Sequence, residues 1–226
     1  MMYLLCSYLL QIEMEFEVRL TEKIIDRSLH VRTVGLREWG KEANKYNRYE
    51  ATPYAALEQL CESYSFDAND KLIDFGSGRG RVAFYLHDRF NIAVTGVEAH
   101  DTTFEEALIN EEMYRKTRSH LDAPLIFDFA LAEQYEIDDD FNKFFMFNPF
   151  SVHIFKKVMT NIMKSYKRKP RTMELILYYP LNDFIHYLRT KTPFILVNKI
   201  KVNNGDHGSY GRFEIYRLTA EDTGEA

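Results

Sequence analysis

The chain has 226 residues, 46% of them apolar and 15% aromatic, and a net charge of −5. This apolar share excludes an intrinsically disordered chain, and the length suits one domain with a large core. The acidic balance gives no overall case for nucleic-acid binding, although it is compatible with a local basic patch. Cys6 and Cys61 are too far apart for metal or redox spacing, which fits a reducing cytoplasm.

The first fifty residues differ from the rest of the chain. Residues 1–13 are rich in Tyr, Leu and Ile, but they are too few to cross a bilayer and lack the basic start of a signal peptide. They are either a dispensable extension or an element that packs on the body. We predict that residues 1–50 form an N-terminal extension and a helical cap over a cleft, with a main domain at 51–226.

Apolar periodicity predicts alternating helices and strands from residue 53 onward. The predicted helices cover residues 53–64, 80–89, 102–119, 151–166 and 181–189. The predicted strands cover residues 71–75, 92–98, 125–129, 143–147, 174–179, 194–202 and 212–218. Such alternation indicates a mostly parallel sheet with helices on both faces, and the last two strands indicate an antiparallel hairpin at one edge.

A glycine-rich segment follows the first of these strands, with the sequence Lys-Leu-Ile-Asp-Phe-Gly-Ser-Gly-Arg-Gly-Arg over residues 71–81. Its G-x-G-x-G spacing differs from the dinucleotide fingerprint G-x-G-x-x-G, and no Lys-Ser or Lys-Thr follows as in a phosphate-binding P-loop. It resembles motif I of the class I S-adenosylmethionine (SAM) dependent methyltransferases. The alternative is a tight strand-to-helix turn without a ligand.

The resemblance implies the fold of that family, an α/β Rossmann-like sheet of seven mostly parallel strands with a C-terminal antiparallel hairpin. It implies SAM as cofactor, held in part by Asp74, Phe75, Gly76, Ser77, Gly78 and Gly80. In the family, the backbone of this loop approaches the methionine part of SAM and the acidic residue binds its ammonium group. Asp74 could also simply stabilise the turn.

Three further segments carry the resemblance to the cofactor site. Glu98 and Ala99 end the second strand, where an acidic residue binds both ribose hydroxyls in the family; the alternative is an acid at a helix N-terminus. Thr52 precedes a helix and resembles a contact to the SAM methionine group, or it is the N-cap of that helix. Leu131 and Ala132 match the adenine segment, and Leu131 stands where the family usually has an acidic residue.

The segment Asn148-Pro149-Phe150 ends the fourth predicted strand. It is similar to the Asn-Pro-Pro-aromatic motif of enzymes that methylate planar nitrogens in nucleobases or in glutamine, although it has one proline instead of two. The resemblance implies that Asn148, Pro149 and Phe150 are catalytic, and Asn148 is also placed beside SAM. The alternative is a strand end with Phe150 in the core.

The function that this resemblance implies is methyl transfer from SAM to a nucleobase nitrogen, with RNA as the acceptor, in the cytoplasm. A basic run could contact phosphates or could be a solvated helix end; it comprises Lys156, Lys157, Lys164, Lys167, Arg168, Lys169 and Arg171. The alternatives are a protein or small-molecule methyltransferase and a non-catalytic SAM-binding module. The histidines are scattered, so we expect no metal, and we expect no membrane partner.

Overall fold

The computed structural model describes residues 20–38, 45–202 and 211–220. The first thirteen residues therefore lie outside the described part of the chain. Six α-helices are described: α1 over residues 20–29, α2 Tyr54–Ser63, α3 Arg81–Phe90, α4 Asp101–Arg115, α5 Val152–Arg168 and α6 Asn182–Lys191. The strands are β1 Leu36–Arg37, β2 Tyr49–Glu50, β3 Lys71–Phe75, β4 Ala93–Glu98, β5 Leu125–Phe129, β6 Lys143–Met146, β7 Met173–Tyr178, β8 Ile195–Val202 and β9 Gly211–Leu218.

Seven strands form one sheet in the order β5-β4-β3-β6-β7-β9-β8. The pairs among β3 to β7 are parallel, and β9 runs antiparallel to both β7 and β8. The predicted fold class, a Rossmann-like mostly parallel sheet with a C-terminal antiparallel hairpin, is confirmed. The chain builds outward from β3 to β5 and then returns to β6, so the strand order reverses between β3 and β6, where such folds bind ligands.

Two apolar clusters cover the two faces of this sheet. Successive residues of β3 belong to opposite clusters: Leu72 is in the same cluster as Phe84 on one face, and Ile73 is in the same cluster as Phe155 on the other. On the second face, the ring of Phe155 stacks on that of Phe184 from α6, with centroids 4.0 Å apart. Because both faces are covered, the central strands are near-continuous apolar runs, which is why their positions can be read from the sequence.

Two features differ from the predicted elements. Helix α4 ends at Arg115 instead of residue 119, because the chain turns at Thr117, whose N–H donates to Tyr114 O over 3.0 Å. The N-terminal region contains more than a helix, since β1 and β2 form a small antiparallel sheet. None of the described helices is long and apolar enough to cross a membrane.

A buried ionic network joins α1 to the body of the fold. The Asp26 carboxylate accepts hydrogen bonds from Thr33 N at 2.6 Å, Thr33 Oγ1 at 2.7 Å and Tyr54 OH at 2.7 Å. The guanidinium of Arg81, at the start of α3, pairs with Glu22 and Asp26 and lies 4.3 Å from the Tyr54 ring centroid. The N-terminal helix is therefore fastened beside the glycine-rich loop.

We predict that Arg81→Met lowers the free energy of unfolding by about 3–5 kcal/mol, because it leaves the Glu22 and Asp26 carboxylates buried and unpaired. The matched control is Arg89→Met, which breaks a half-exposed pair with Glu58 and should cost less than about 1 kcal/mol. Urea unfolding measures both. Equal losses in the two variants would contradict the role of the Arg81 network.

Candidate functional site

A pocket lies at the carboxyl ends of β3, β4 and β6, at the reversal of strand order. The segments that line it are the stretch from Tyr46 to Thr52, the glycine-rich loop, the end of β4, and the loops that follow β5 and β6. The predicted site residues that line it are Thr52, Asp74, Gly76, Ser77, Glu98, Ala99, Ala132, Pro149 and Phe150. The fold thus brings together residues that are up to about one hundred positions apart in sequence.

The glycine-rich loop turns back toward β4, where Gly76 N and Ser77 N both donate to Val97 O, at 2.8 and 3.2 Å. Gly76 and Gly78 have φ of +72° and +57°, values that disfavour a side chain. A Cβ on Gly76 would collide with Pro149, and one on Gly78 would collide with the ring of Tyr49. The absence of side chains therefore lets two other segments close directly on the loop.

Asp74 lies at the floor of the pocket and is almost completely buried. Burial first, and the nearby charge of Glu98 second, raise the pKa of Asp74 to about 8. Asp74 Oδ2 and Ser77 Oγ are both buried without a hydrogen-bond partner among the described residues. Such atoms are uncommon in folded proteins. Both belong to residues that line the pocket, and each can accept a hydrogen bond from a cationic donor such as an ammonium group.

Glu98 ends β4 with its carboxylate held at the edge of the pocket. It accepts hydrogen bonds from Gly78 N at 2.8 Å, Ala99 N at 2.9 Å and His100 N at 2.7 Å. Burial raises the pKa of Glu98, although these three hydrogen bonds oppose the shift. The carboxylate is therefore held in a fixed position by the glycine-rich loop on one side and by the turn that leads into α4 on the other.

Asn148 follows β6 in a left-handed conformation, with φ of +40°. Its Nδ2 donates to the main-chain oxygen of Tyr179, another residue with positive φ, at +51°. Asn148 Oδ1 is buried and has no hydrogen-bond partner among the described residues. Non-glycine residues in this conformation cost energy and cluster at functional sites, so this loop is a second candidate for chemistry.

Residues 45–47 cover the segment Asn148-Pro149-Phe150. Asn47 N donates to Pro149 O at 3.1 Å, and Asn47 Nδ2 donates to Asn148 O at 2.6 Å. Tyr46 forms an isolated antiparallel bridge with Phe150, whose side chain is 1% exposed. The main-chain oxygen of Pro149 is thus already hydrogen-bonded, and the Phe150 ring lies in the core at the wall of the pocket.

Five of the predicted cofactor residues do not line the pocket itself. Phe75 is fully buried in the core, and the Asn148 side chain turns toward Tyr179. Within the loop, Gly78 faces the ring of Tyr49 and Gly80 faces aromatic rings of the core. The Leu131 side chain is 37% exposed and lies outside the pocket, while Ala132 lines it.

Thr52 is buried and lines the pocket, but it does not cap α2. Pro53 is the residue before that helix, and no side-chain cap comes from the cap position. The first helical N–H, on Tyr54, donates to Glu22 Oε1 at 2.9 Å. The alternative that Thr52 is the N-cap of α2 is therefore wrong.

Sequence reasoning missed several residues that line the pocket. The N-terminal segment contributes Arg37, Tyr46, Asn47 and Tyr49, and the body of the fold contributes Arg81, His100, Thr103 and Phe147. A contact such as that of Tyr49 could have been anticipated from Gly78, since a glycine in a loop often marks a position that another group approaches closely. Among the described residues, no group of three or more His, Cys, Asp or Glu side chains could hold a metal.

No protein-family model and no curated protein matches the sequence. The fold is similar to a methyltransferase from Pyrococcus furiosus, with TM-score 0.58, 16% identity, and 91% of this chain and 98% of that chain covered. An RNA methyltransferase from Salinibacter ruber in complex with S-adenosyl-L-homocysteine has TM-score 0.51 and 14% identity, with 76% and 94% covered.

A third similar structure is the tRNA (uracil-54, C5)-methyltransferase of Pyrococcus abyssi, also in complex with S-adenosyl-L-homocysteine. It has TM-score 0.51 and 16% identity, with 75% of this chain covered. This chain spans only 40% of that protein's length. At these identities, the similarity establishes a shared fold.

We predict that the stability of the protein depends on the ionisation of Asp74. The folded state holds its proton up to a pH of about 8, while the unfolded chain releases it near 4, so stability from this group is lost as pH rises between these values. Asp74→Asn cannot ionise. The free energy of unfolding of Asp74→Asn, relative to that of the wild-type protein, should therefore rise by up to about 4 kcal/mol from pH 5 to pH 8.

Urea unfolding at both pH values measures this difference. Asp183→Asn, at an exposed position in the first turn of α6, is the control and should follow the wild-type pH dependence. A pH-independent difference between Asp74→Asn and the wild-type protein would refute the raised pKa of Asp74.

Proposed function

We propose that the protein is a SAM-dependent methyltransferase that acts on a planar nitrogen of a nucleobase in RNA. The observation that carries the proposal is the pair of buried, unpaired acceptors Asp74 Oδ2 and Ser77 Oγ beside a close-packed glycine loop, at the reversal of strand order. Two structures with the same fold contain S-adenosyl-L-homocysteine, which supports the choice of cofactor.

The residues of the pocket fit the separate parts of SAM. Asp74 and Ser77 have acceptors for the ammonium group of its methionine part, and Thr52 lines the same pocket. Glu98 has a fixed carboxylate for the two ribose hydroxyls, since a carboxylate accepts several hydrogen bonds at once. Ala99 and Ala132 give small apolar walls for adenine. When bound, SAM supplies the electrophilic methyl group on its sulfonium.

We assign the methyl-acceptor position to Asn148, which adjoins Pro149 at the wall of the pocket although its own side chain is not part of the lining. Its Oδ1 is the one oxygen of the Asn148-Pro149 pair that has no partner in the described structure, because the Pro149 oxygen is bonded to Asn47. Accepting a hydrogen bond from an NH2 group at Oδ1 would hold that nitrogen in a fixed orientation. Holding reacting groups in place is a large part of catalysis in such transfers. Pro149 and Phe150 would act by forming the wall beside this position.

RNA is the proposed acceptor for two reasons. Planar amino groups that match a single amide oxygen are abundant on nucleobases, and proteins of this fold include RNA methyltransferases. Tyr179 follows β7 next to Asn148 and is 42% exposed. Exposed aromatic rings are the usual stacking surface for an unstacked base.

A second candidate function is a SAM-binding module without catalysis. The hydrogen bond from Asn47 N to Pro149 O favours it, since that bond occupies the main-chain oxygen next to Asn148 that could serve as a second acceptor. The burial of the Phe150 ring also favours it. In that case SAM would bind and no methyl group would be transferred.

We predict that Glu98→Gln weakens SAM binding by roughly tenfold or more, because hydrogen bonds to a charged group contribute about 1.5–3 kcal/mol. Isothermal titration calorimetry with SAM measures the dissociation constant. Glu105→Gln, at an exposed position on α4, is the control and should bind SAM as the wild-type protein does. An unchanged dissociation constant for Glu98→Gln would mean that the ribose is held elsewhere.

We predict that Asn148→Ala lowers the rate of methyl transfer by roughly tenfold or more while SAM affinity stays nearly unchanged, because a positioning contact to the acceptor is lost. Single-turnover assays and calorimetry separate the two effects. Asn182→Ala, on the exposed surface of α6, is the matched control. Wild-type turnover by Asn148→Ala would remove Asn148 from the mechanism.

To test the proposed function, the purified protein is incubated with methyl-labelled SAM and cell extract. The products are then digested in parallel with ribonuclease and with protease. We expect label in macromolecules that ribonuclease releases. Label in protein or small molecules alone would exclude the RNA acceptor. SAM binding without any transfer of label would establish the non-catalytic module.

A further inference from the structure

We propose that a basic groove between α1 and α4 binds the phosphodiester backbone of the RNA whose base enters the pocket. This proposal rests on the proposed function for the identity of the RNA as substrate. The groove, of about 780 Å³, is lined on one side by residues of α1 and the segment after it, and on the other by the end of α4. Its basic lining residues are Lys23, Arg27, His30, Arg32 and Lys116.

The helix geometry places these cations along one wall. Lys23 and Arg27 are four residues apart on α1, so their side chains lie on the same face. His30 and Arg32 continue the wall beyond the helix, and all four of these side chains are exposed. A linear series of positive charges matches the regular spacing of charges on a phosphodiester backbone.

Most of this positive charge has no acidic partner among residues 20–38, 45–202 and 211–220. Lys23, Arg27 and Arg32 make no ion pair within the described residues. Asp26, the one acidic residue among the described residues of the lining, is buried and bonded to Thr33 and Tyr54. Lys116 alone is paired, with Glu112 on the exposed surface of α4. The acidic residues near the groove therefore leave three cations for a polyanion.

The basic run on α5, by contrast, is partly used within the fold. Arg168 pairs with Asp139 at 2.8 Å, Lys169 pairs with Asp140 at 2.7 Å, and Arg171 Nε donates to Phe141 O at 2.7 Å. These contacts fasten the end of α5 to the loop that precedes β6. The four lysines that precede Arg168 in this run are also exposed and make no ion pair within the described residues. The groove differs from the run by its preformed walls and by its short link to the pocket.

The walls of the groove are fastened to each other, so the groove exists before a ligand binds. Asn110 of α4 accepts from Arg32 N at 2.8 Å and donates to Arg32 O at 3.3 Å. Arg118 donates to Ser28 O at 2.8 Å and pairs with Asp88. A preformed site of this kind avoids part of the ordering cost of binding.

The groove leads toward the pocket along one short segment. Val34 lines the groove and Arg37 lines the pocket, and three residues span at most about 10 Å. Tyr49, also in the pocket lining, donates through its hydroxyl to Thr33 O at 2.5 Å. A strand held by its phosphates in the groove thus has a nucleotide within reach of the pocket.

The test is the salt dependence of binding to a fluorescent single-stranded RNA, measured by anisotropy for the full chain. The variant is the triple substitution Lys23→Ala, Arg27→Ala and Arg32→Ala. Loss of three phosphate contacts should reduce the slope of log K against log salt by about 2. The variant should keep wild-type affinity for S-adenosyl-L-homocysteine, and its KM for RNA should rise while kcat stays unchanged.

The matched control is Lys156→Ala, Lys157→Ala and Lys164→Ala on the exposed face of α5, which removes the same charge and should leave the salt slope unchanged. An unchanged slope in the groove variant, a reduced slope in the control, or no RNA binding by the wild-type protein would overturn the groove. RNA binding through the groove without methyl transfer to RNA would instead overturn the proposed function and leave the groove in place.

Discussion

The close approach of three chain segments at the glycine-rich loop is the constraint on which the site depends. Pro149 packs against Gly76, the ring of Tyr49 packs against Gly78, and both glycines hold a positive φ. A side chain at either position would separate the loop from the segment that covers it. The loop after β6 and the segment before α2 therefore reach the pocket only because residues 76 and 78 have no Cβ.

This arrangement leaves a polar floor that the folded protein does not satisfy by itself. Asp74 and Ser77 have buried oxygens without partners, and the raised pKa of Asp74 reflects the cost of placing a charge there. Unsatisfied buried groups of this kind lower the stability of a protein, and they are common at functional sites. The Arg81 network beside it stabilises the fold, since Arg81 pairs with Glu22 and Asp26 and thereby holds the N-terminal helix in place.

The sequence predicts the sheet well and the walls of the pocket poorly. An apolar run such as residues 71–75 can be buried only as a central strand, with a covered face of the sheet on each side. The sequence pattern and the structure therefore agree for these strands. The positions of Asp74 and Glu98 at strand ends follow from the same pattern. The contacts of Tyr46 and Asn47 with the Asn148-Pro149-Phe150 segment depend on tertiary packing across about one hundred residues, which no local pattern encodes. The same limit applies to the basic run on α5, whose acidic partners at Asp139 and Asp140 are identified only by the fold.

Calorimetric titration of the protein with S-adenosyl-L-homocysteine, in two buffers with different ionisation enthalpies at pH 7, tests the central claim most directly. If the ammonium group of the ligand meets Asp74, the carboxyl must lose the proton that its pKa of about 8 holds at that pH. We predict release of most of one proton per ligand bound, and no such release in Asp74→Asn. Absence of binding would contradict the assignment of this pocket to SAM, and binding without a proton release that depends on Asp74 would contradict the contact between Asp74 and the ammonium group.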